Sequence, residues 1–304
     1  MLTNCYARIA VPSFFAITGF LLADKLSKAN IKKQTKRLWI LYGAWSVCYL
    51  PLIINSFAVD VRYENVKFLI KFLIFVRRFF LVYSWTPLWY ILASCYCIPI
   101  IYWILKHIKL EIALLTTLSI YLFMACSRDC YSWIGRRIIE DNTILYFGDT
   151  WLFKIGTIWS GISMGVFFML LGKWIHRRQK IYTGKIIYNL LGLAVSIILL
   201  RCEVEWHQMH GINDMSMMLS LIPCVYFVLN IFSNLQLKDN KCYEWLRNMS
   251  IMVYGLHTIV GTYMPTLTNS LLNYFMIMMV VVIVATILIW LSKKKCFGGL
   301  KYLY

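Results

Sequence analysis

Residues 5–23 read CYARIAVPSFFAITGFLLA. The run is apolar and about as long as the ~20 residues that carry a helix across ~30 Å of hydrocarbon. Arg8 lies inside it, and Lys25, Lys28, Lys32, Lys33, Lys36 and Arg37 follow closely. An arginine at membrane depth is costly and by default marks a functional position. A basic cluster after an apolar span stays on the cytoplasmic side. The stretch therefore predicts a spanning helix that enters from outside and ends at a cationic inner surface.

The rest of the chain extends this pattern. Its 304 residues are 61% hydrophobic and 14% charged, with a mean hydropathy of +0.67. Soluble domains carry about 45–50% apolar residues and about 25% charge. This excludes a large soluble core. It predicts an all-α polytopic transmembrane helix bundle forming a single integral-membrane domain over 1–304. Nine spans are expected, over 5–23, 38–58, 86–106, 111–126, 150–172, 184–202, 212–235, 248–266 and 270–292. KFLIKFLIFVRRFF, residues 67–80, has the pattern of an amphipathic helix lying on the membrane, with a further span as the alternative.

With the N-terminus outside, about twenty Lys/Arg fall in inner connections and about nine in outer ones, as the positive-inside rule requires. Most of the net charge of +18 is therefore read as topogenic and lipid-directed, with the bilayer and not nucleic acid as the partner, while a basic loop could also hold an anionic cofactor. The ten cysteines form no CxxC pair. A disulfide among Cys126, Cys130 and Cys202 is compatible with their expected place near the outer face.

Several constellations could carry chemistry. Arg8, Pro12, Phe15 and Gly19 share one helical face. Arg8 reads either as a snorkelling residue or as a buried guanidinium that orients a substrate. RNMSIMVYGLH sets Arg247, Ser250, Tyr254 and His257 on one stripe at spacings of 3, 4 and 3. Such a stripe on a span is expected to face protein or a wet cavity. His257 then serves as an interhelical hydrogen bonder or as a base. IKKQTKRLWILYGAW supplies a basic loop, either solvated or suited to phosphate. WTPLWYILAS places Trp89 and Tyr90 in an interfacial belt or a pocket wall.

Two motifs carry less weight. GISMG (161–165) matches the serine-hydrolase elbow pattern, but that motif needs a strand-to-helix turn and here falls in an apolar helix. EVEWHQMHGIND gathers Glu203, Glu205, His207, His210 and Asp214 in an expected outer loop without the H-E-x-x-H spacing of a zinc site. No metal is expected. Neither a Walker loop nor a dinucleotide glycine fingerprint occurs.

Taken together these segments resemble the membrane acyltransferase 3 family. RIAVPSFFAITGFLL (8–22) is similar to the family's second helix, with Thr18 for the usual Ser. KKQTKRLWILYGAWS (32–46) resembles the basic loop and helix that follow, with Lys33 and Arg37 at the paired basic positions. PLWYILAS (87–94) resembles the family's H-L-W-Y-L segment, with Pro87 at the His position. LRNMSIMVYGLH (246–257) resembles the C-terminal L-x-x-x-S-x-x-x-Y-x-x-H pattern. Trp159 stands where some relatives carry part of an Arg-Asn pair.

The resemblance implies O-acyl transfer in a bacterial cytoplasmic membrane, from cytoplasmic acyl-CoA, with acetyl-CoA expected, to a hydroxyl of a cell-envelope glycan. It implies catalytic roles for Arg8 and His257, substrate contacts from Trp89, Tyr90, Ser250 and Tyr254, and CoA phosphates held by Lys32, Lys33, Lys36 and Arg37. It also implies a preceding helix that carries the family's catalytic histidine. The segment begins where that helix would end, so the chain reads as the family core without its first span. The alternatives are a membrane carrier for a small polar metabolite such as an amino acid, and an inactive truncated paralogue.

Overall fold

The computed structural model describes residues 7–59, 64–83, 85–179, 186–212, 215–235, 238, 240, 242–265 and 270–304. Helices make up the described regular structure, and no strand occurs among these residues. They are α1 (Ala10–Leu22), α2 (Lys28–Cys48), α3 (Leu50–Val59), α4 (Phe68–Arg77), α5 (Trp89–His107), α6 (Leu110–Arg128), α7 (Ser132–Glu140), α8 (Thr143–Ile155), α9 (Ile158–Gln179), α10 (Ile186–Met209), α11 (Leu221–Ser233), α12 (Cys242–Tyr263) and α13 (Ser270–Leu291). Short 3-10 turns precede α1 and α5, and a 3-10 segment, Lys295–Leu303, closes the chain.

Among the described residues, five helical segments are long and apolar enough to cross a membrane: Thr86–His107, Leu110–Arg128, Ile158–Arg178, Ile186–Met209 and Leu271–Leu291. A sixth arises if α2 and α3, bent by 57°, are counted as one span. The other expected spans appear as helices that are shorter, Ala7–Leu22 and Leu221–Ser233, or more polar, α12.

Some boundaries differ from the sequence expectation for physical reasons. The 38–58 span is not straight. Pro51 lacks an N–H and crowds the carbonyl four residues back, so the chain bends between Cys48 and Leu50. The basic loop before it is helical, because α2 starts at Lys28. The 150–172 helix is broken at Gly156 and Thr157, and α9 runs on to Gln179. The expected outer loop after residue 202 is the last turns of α10. Residues 67–80 form the ten-residue α4 followed by a π turn, Arg78–Val82, with exposed apolar side chains. At ~1.5 Å per residue α4 is too short to span a bilayer. Residues 5–6 of the opening stretch lie outside the described residues.

The chain groups into two compact units, with the divisions falling inside α2 and α5. In the first unit (to Thr35, then Ala93–Gln236), α9 is the hub, with α1, α6 and α11 packed on it. The α1–α9 contact depends on reciprocal glycines. A β-carbon on Gly19 would overlap the Met169 carbonyl, and one on Gly172 would overlap the Ala16 carbonyl. Only small residues let two spanning backbones approach this closely. Pro12 falls in the first turn of α1, where its missing N–H removes no helical bond. Phe167, Phe168 and Tyr121 fill the centre fully buried.

In the second unit (Lys36–Leu92, Leu237–Tyr304), α12 packs on α13 and on the turn before α5. Trp45 occupies the space above Gly255. Its indole N–H donates to the Leu303 carbonyl at 3.1 Å, which fastens the C-terminal segment to α2. The outer face of α13 carries exposed Leu271, Phe275, Met279 and Ile283, as suits a lipid-facing helix.

Candidate functional site

The expected site residues fall on both units, and each unit is described by itself. In the first, Arg8 is half-buried in the 3-10 turn Ala7–Ile9, which packs on α11. On α2, Lys32 and Lys33 of the first unit and Lys36 and Arg37 of the second are all exposed. Their i, i+1, i+4, i+5 spacing makes one continuous cationic face of a helix, not a basic loop.

In the second unit two expected segments meet. The Tyr254 hydroxyl donates to the Pro87 carbonyl, and the Tyr90 and Tyr254 rings lie edge to face, 5.8 Å apart. Trp89 precedes Tyr90 and is half-buried. The rest of the α12 stripe differs from expectation. Arg247, Ser250 and His257 are exposed, while Met249, Met252, Gly255 and Leu256 turn inward. The cause is Gly255. It must sit beneath Trp45, and its carbonyl takes the Tyr49 hydroxyl at 2.6 Å, so that side of the helix is the buried one. His257 Nδ1 lies 2.7 Å from the Tyr254 carbonyl, and Nε2 lies 3.1 Å from the Thr258 hydroxyl. With the Nδ1 proton donated to the carbonyl, Nε2 keeps its lone pair.

The GISMG stretch lies inside α9, with no elbow. Ser163 donates to the Ser160 carbonyl at 2.9 Å, and a β-carbon on Gly165 would press on Cys97 and Phe15. It is a packing face.

The sequence reading missed a buried polar cluster in the first unit. α10 continues past Leu200, so Val204 and His207 stay on its inward face, and Glu203 reaches the same place. The spacing of buried Asn189, Ser196, Leu200, Val204 and His207 carries one helical face unbroken into the polar stretch. That periodicity was the available signal.

Glu203 accepts from the backbone N–H of Leu219 at 2.7 Å and of Ser220 at 2.8 Å, and from the hydroxyls of Ser220 and Tyr131. Asp129 Oδ1 accepts from the N–H groups of Cys130 at 2.8 Å, Ser216 at 2.8 Å and Met217 at 3.0 Å. Two carboxylates thus anchor the segment leading into α11. Asp214 lies outside the described residues.

Cys130, Glu203 and His207 place ligand atoms within 4.8 Å of one another, a spacing that could hold a metal ion. The Trp133 indole N–H donates to His207 Nδ1 at 3.3 Å, which leaves the proton on Nε2, the atom facing Glu203 at 3.8 Å. The Cys130 thiol is spent on the Met217 carbonyl at 3.0 Å. Burial, then the nearby Asp129 and Glu203 carboxylates, push that thiol well above its usual range, so it stays protonated. Burial and the hydrogen bond to Glu203 raise the Tyr131 phenol likewise. Cys126, Cys130 and Cys202 are free thiols, so the candidate disulfide does not form here.

A family model described as an acyltransferase domain, acyltransferase 3, matches residues 6–293. This chain belongs to that family. Among curated proteins, the acyltransferase 3 chain is similar to one named amino-acid racemase from Enterococcus faecalis, with 26% identity over 97% of its own length. It spans 42% of that relative's length. No solved structure matches it. Family membership and the long apolar helices make this acyltransferase 3 protein a multi-pass membrane protein.

Proposed function

We propose that the protein is a membrane O-acyltransferase of the bacterial cytoplasmic membrane. It would move an acyl group, acetyl in the simplest case, from cytoplasmic acyl-CoA to a hydroxyl of a cell-envelope glycan. The observation that carries the reading is the acyltransferase family match over 6–293. The exposed cationic face of α2 supports the donor assignment, since Lys32, Lys33, Lys36 and Arg37 suit the phosphates of CoA.

In the reaction the thioester C–S bond breaks and an ester C–O bond forms. The acceptor hydroxyl gives its proton to a base and the CoA thiolate takes one up. His257, with a lone pair on Nε2, is the proposed base. Arg8 is the proposed partner of the negative charge that develops on the carbonyl oxygen. Trp89, Tyr90, Ser250 and Tyr254 would line the acceptor path.

The test is transfer from radiolabelled acetyl-CoA to envelope glycan in membranes containing the protein. Label that appears with the wild type and disappears with Arg8→Ala supports the reading. No label and no CoA binding overturns it.

A second reading is favoured by one observation. The protein named amino-acid racemase matches over nearly this whole chain, which covers under half of the racemase's length. A membrane module carrying a small polar metabolite such as an amino acid would fit that arrangement. Amino-acid uptake into proteoliposomes without CoA would support it, and its absence would sink it.

A further inference from the structure

We propose that Cys130, Glu203 and His207 of the first unit bind one divalent cation of the zinc class. The proposal stands apart from the acyl-transfer reading. The three ligand atoms lie within 4.8 Å of one another. Glu203 and His207 are one turn apart on α10 and share a face. Cys130 comes from the turn between α6 and α7. An ion held by all three would fasten the end of α10 to that turn.

His207 is the decisive group. Its side chain is 0% exposed, and Nε2 has no hydrogen-bond partner among the described residues. It lies 3.8 Å from Glu203 Oε1, too far for a hydrogen bond. The ligand atoms of a tetrahedral zinc stand about 3.3–3.8 Å apart, as its bond lengths require. Nε2 and Oε1 are thus spaced for an ion between them. The widest gap in the set, at most 4.8 Å, closes by about 1 Å as the side chains tighten on the metal.

The donor set balances a divalent charge. Binding turns the Cys130 thiol into a thiolate and releases its proton to solvent. Thiolate and the Glu203 carboxylate then carry two negative charges, and His207 adds a neutral nitrogen. Sulfur, imidazole and carboxylate together suit zinc, whereas magnesium and calcium take oxygen ligands. The N–H groups of Leu219 and Ser220 already hold Glu203 in place, as outer partners of a ligating carboxylate do. Three protein ligands leave the fourth position of the ion to water.

Three existing bonds give way. The Cys130 thiol leaves the Met217 carbonyl. The Tyr131 hydroxyl leaves Glu203 and turns to water, since Tyr131 is half-buried. The His207 proton moves from Nε2 to Nδ1, which releases the Trp133 indole. That bond, at 3.3 Å, is the longest in the cluster and the least costly to lose. His210 is exposed and stacks on Trp133 with ring centres 3.6 Å apart, so it serves as a control and not as a ligand.

The experiment uses the full, tag-free chain in lipid nanodiscs, stripped with a chelator and titrated near neutral pH with zinc and, separately, cobalt(II). The expected result is one ion per chain, not displaced by excess magnesium. Bound cobalt should show a thiolate-to-metal charge-transfer band in the near ultraviolet. Cys130→Ser keeps a hydroxyl for the Met217 carbonyl and so preserves the packing. It should abolish the band and weaken zinc binding by about tenfold or more. His207→Gln should weaken zinc binding to a similar extent. Cys202 is exposed, and Cys202→Ser and His210→Gln should bind as wild type does. Zinc should raise the Tm of wild type and of Cys202→Ser but not of Cys130→Ser.

The proposal is overturned if no ion binds stoichiometrically, if cobalt binds without the band, or if Cys130→Ser binds like wild type. The stoichiometry and the band are read on the wild-type chain, so the test stays decisive if His207→Gln fails to fold.

Discussion

The Tyr49 hydroxyl donates to the Gly255 carbonyl at 2.6 Å, directly beside the indole of Trp45 that fills the space a β-carbon on Gly255 would need. This relationship decides which face of α12 is buried. It turns Arg247, Ser250 and His257 outward and leaves Tyr254 to meet Tyr90.

Gly255→Ala should therefore disturb α12 more than its size suggests. Overpacking of this kind costs about 1–3 kcal/mol, against about 1 kcal/mol for Tyr49→Phe, which removes only the hydrogen bond. Thermal unfolding in detergent should rank the variants in that order. A Gly255→Ala protein as stable as wild type would show that Trp45 does not pack there.

Glu203 accepts from two backbone N–H groups and two hydroxyls. Glu203→Ala would leave several part-buried donors without an acceptor, at about 1–3 kcal/mol each before relaxation. Glu203→Gln keeps one acceptor oxygen and should lose less. The readout is protease cleavage within 215–220, which should rise in Glu203→Ala first. Equal resistance in both variants would argue against an anchoring role.

Cysteine labelling tests burial and topology together. Cys202, Cys242 and Cys296 are exposed, whereas Cys130 is buried with its thiol held protonated. At neutral pH a maleimide should modify the exposed thiols, Cys48 among them, and spare Cys130 until the protein is denatured. Applied to intact cells, a membrane-impermeant reagent should reach Cys202 but not Cys242 or Cys296, if the positive-inside topology holds. Labelling of Cys296 from outside would invert it.

The cationic face of α2 makes a salt-dependent prediction. Lys33→Glu with Arg37→Glu should weaken CoA binding by about tenfold or more at low ionic strength, with a smaller difference at high salt. The protein should still insert, since both side chains are exposed. CoA binding indifferent to this change would remove the phosphate-clamp role.

Much of the architecture was legible in the residues. Long apolar runs punctuated by basic clusters specify spanning helices, because lipid leaves the backbone no other way to satisfy its hydrogen bonds. The Arg8–Leu22 and Leu246–His257 patterns pointed to the family that matches residues 6–293. Helix breaks at Pro51 and Gly156 were present in the residue types, although hydropathy alone ran across them.

The polar clusters were not legible in the same way. Glu203 and His207 looked like a surface loop because polarity reports exposure only on average, and here tertiary donors from Leu219, Ser220, Tyr131 and Trp133 make burial affordable. Asp149 gave no local sign of its pairing with Arg128, since the partner arrives through two turns of chain. The orientation of His257 was likewise decided elsewhere, by the fit of Trp45 over Gly255. The sequence by itself determined that this chain is helical, membrane-spanning and of the acyltransferase 3 type. Its local hydrophobic period and steric punctuation act within single helices. Only the tertiary structure decided which polar residues are buried and with whom, because that depends on contacts between helices far apart in the chain.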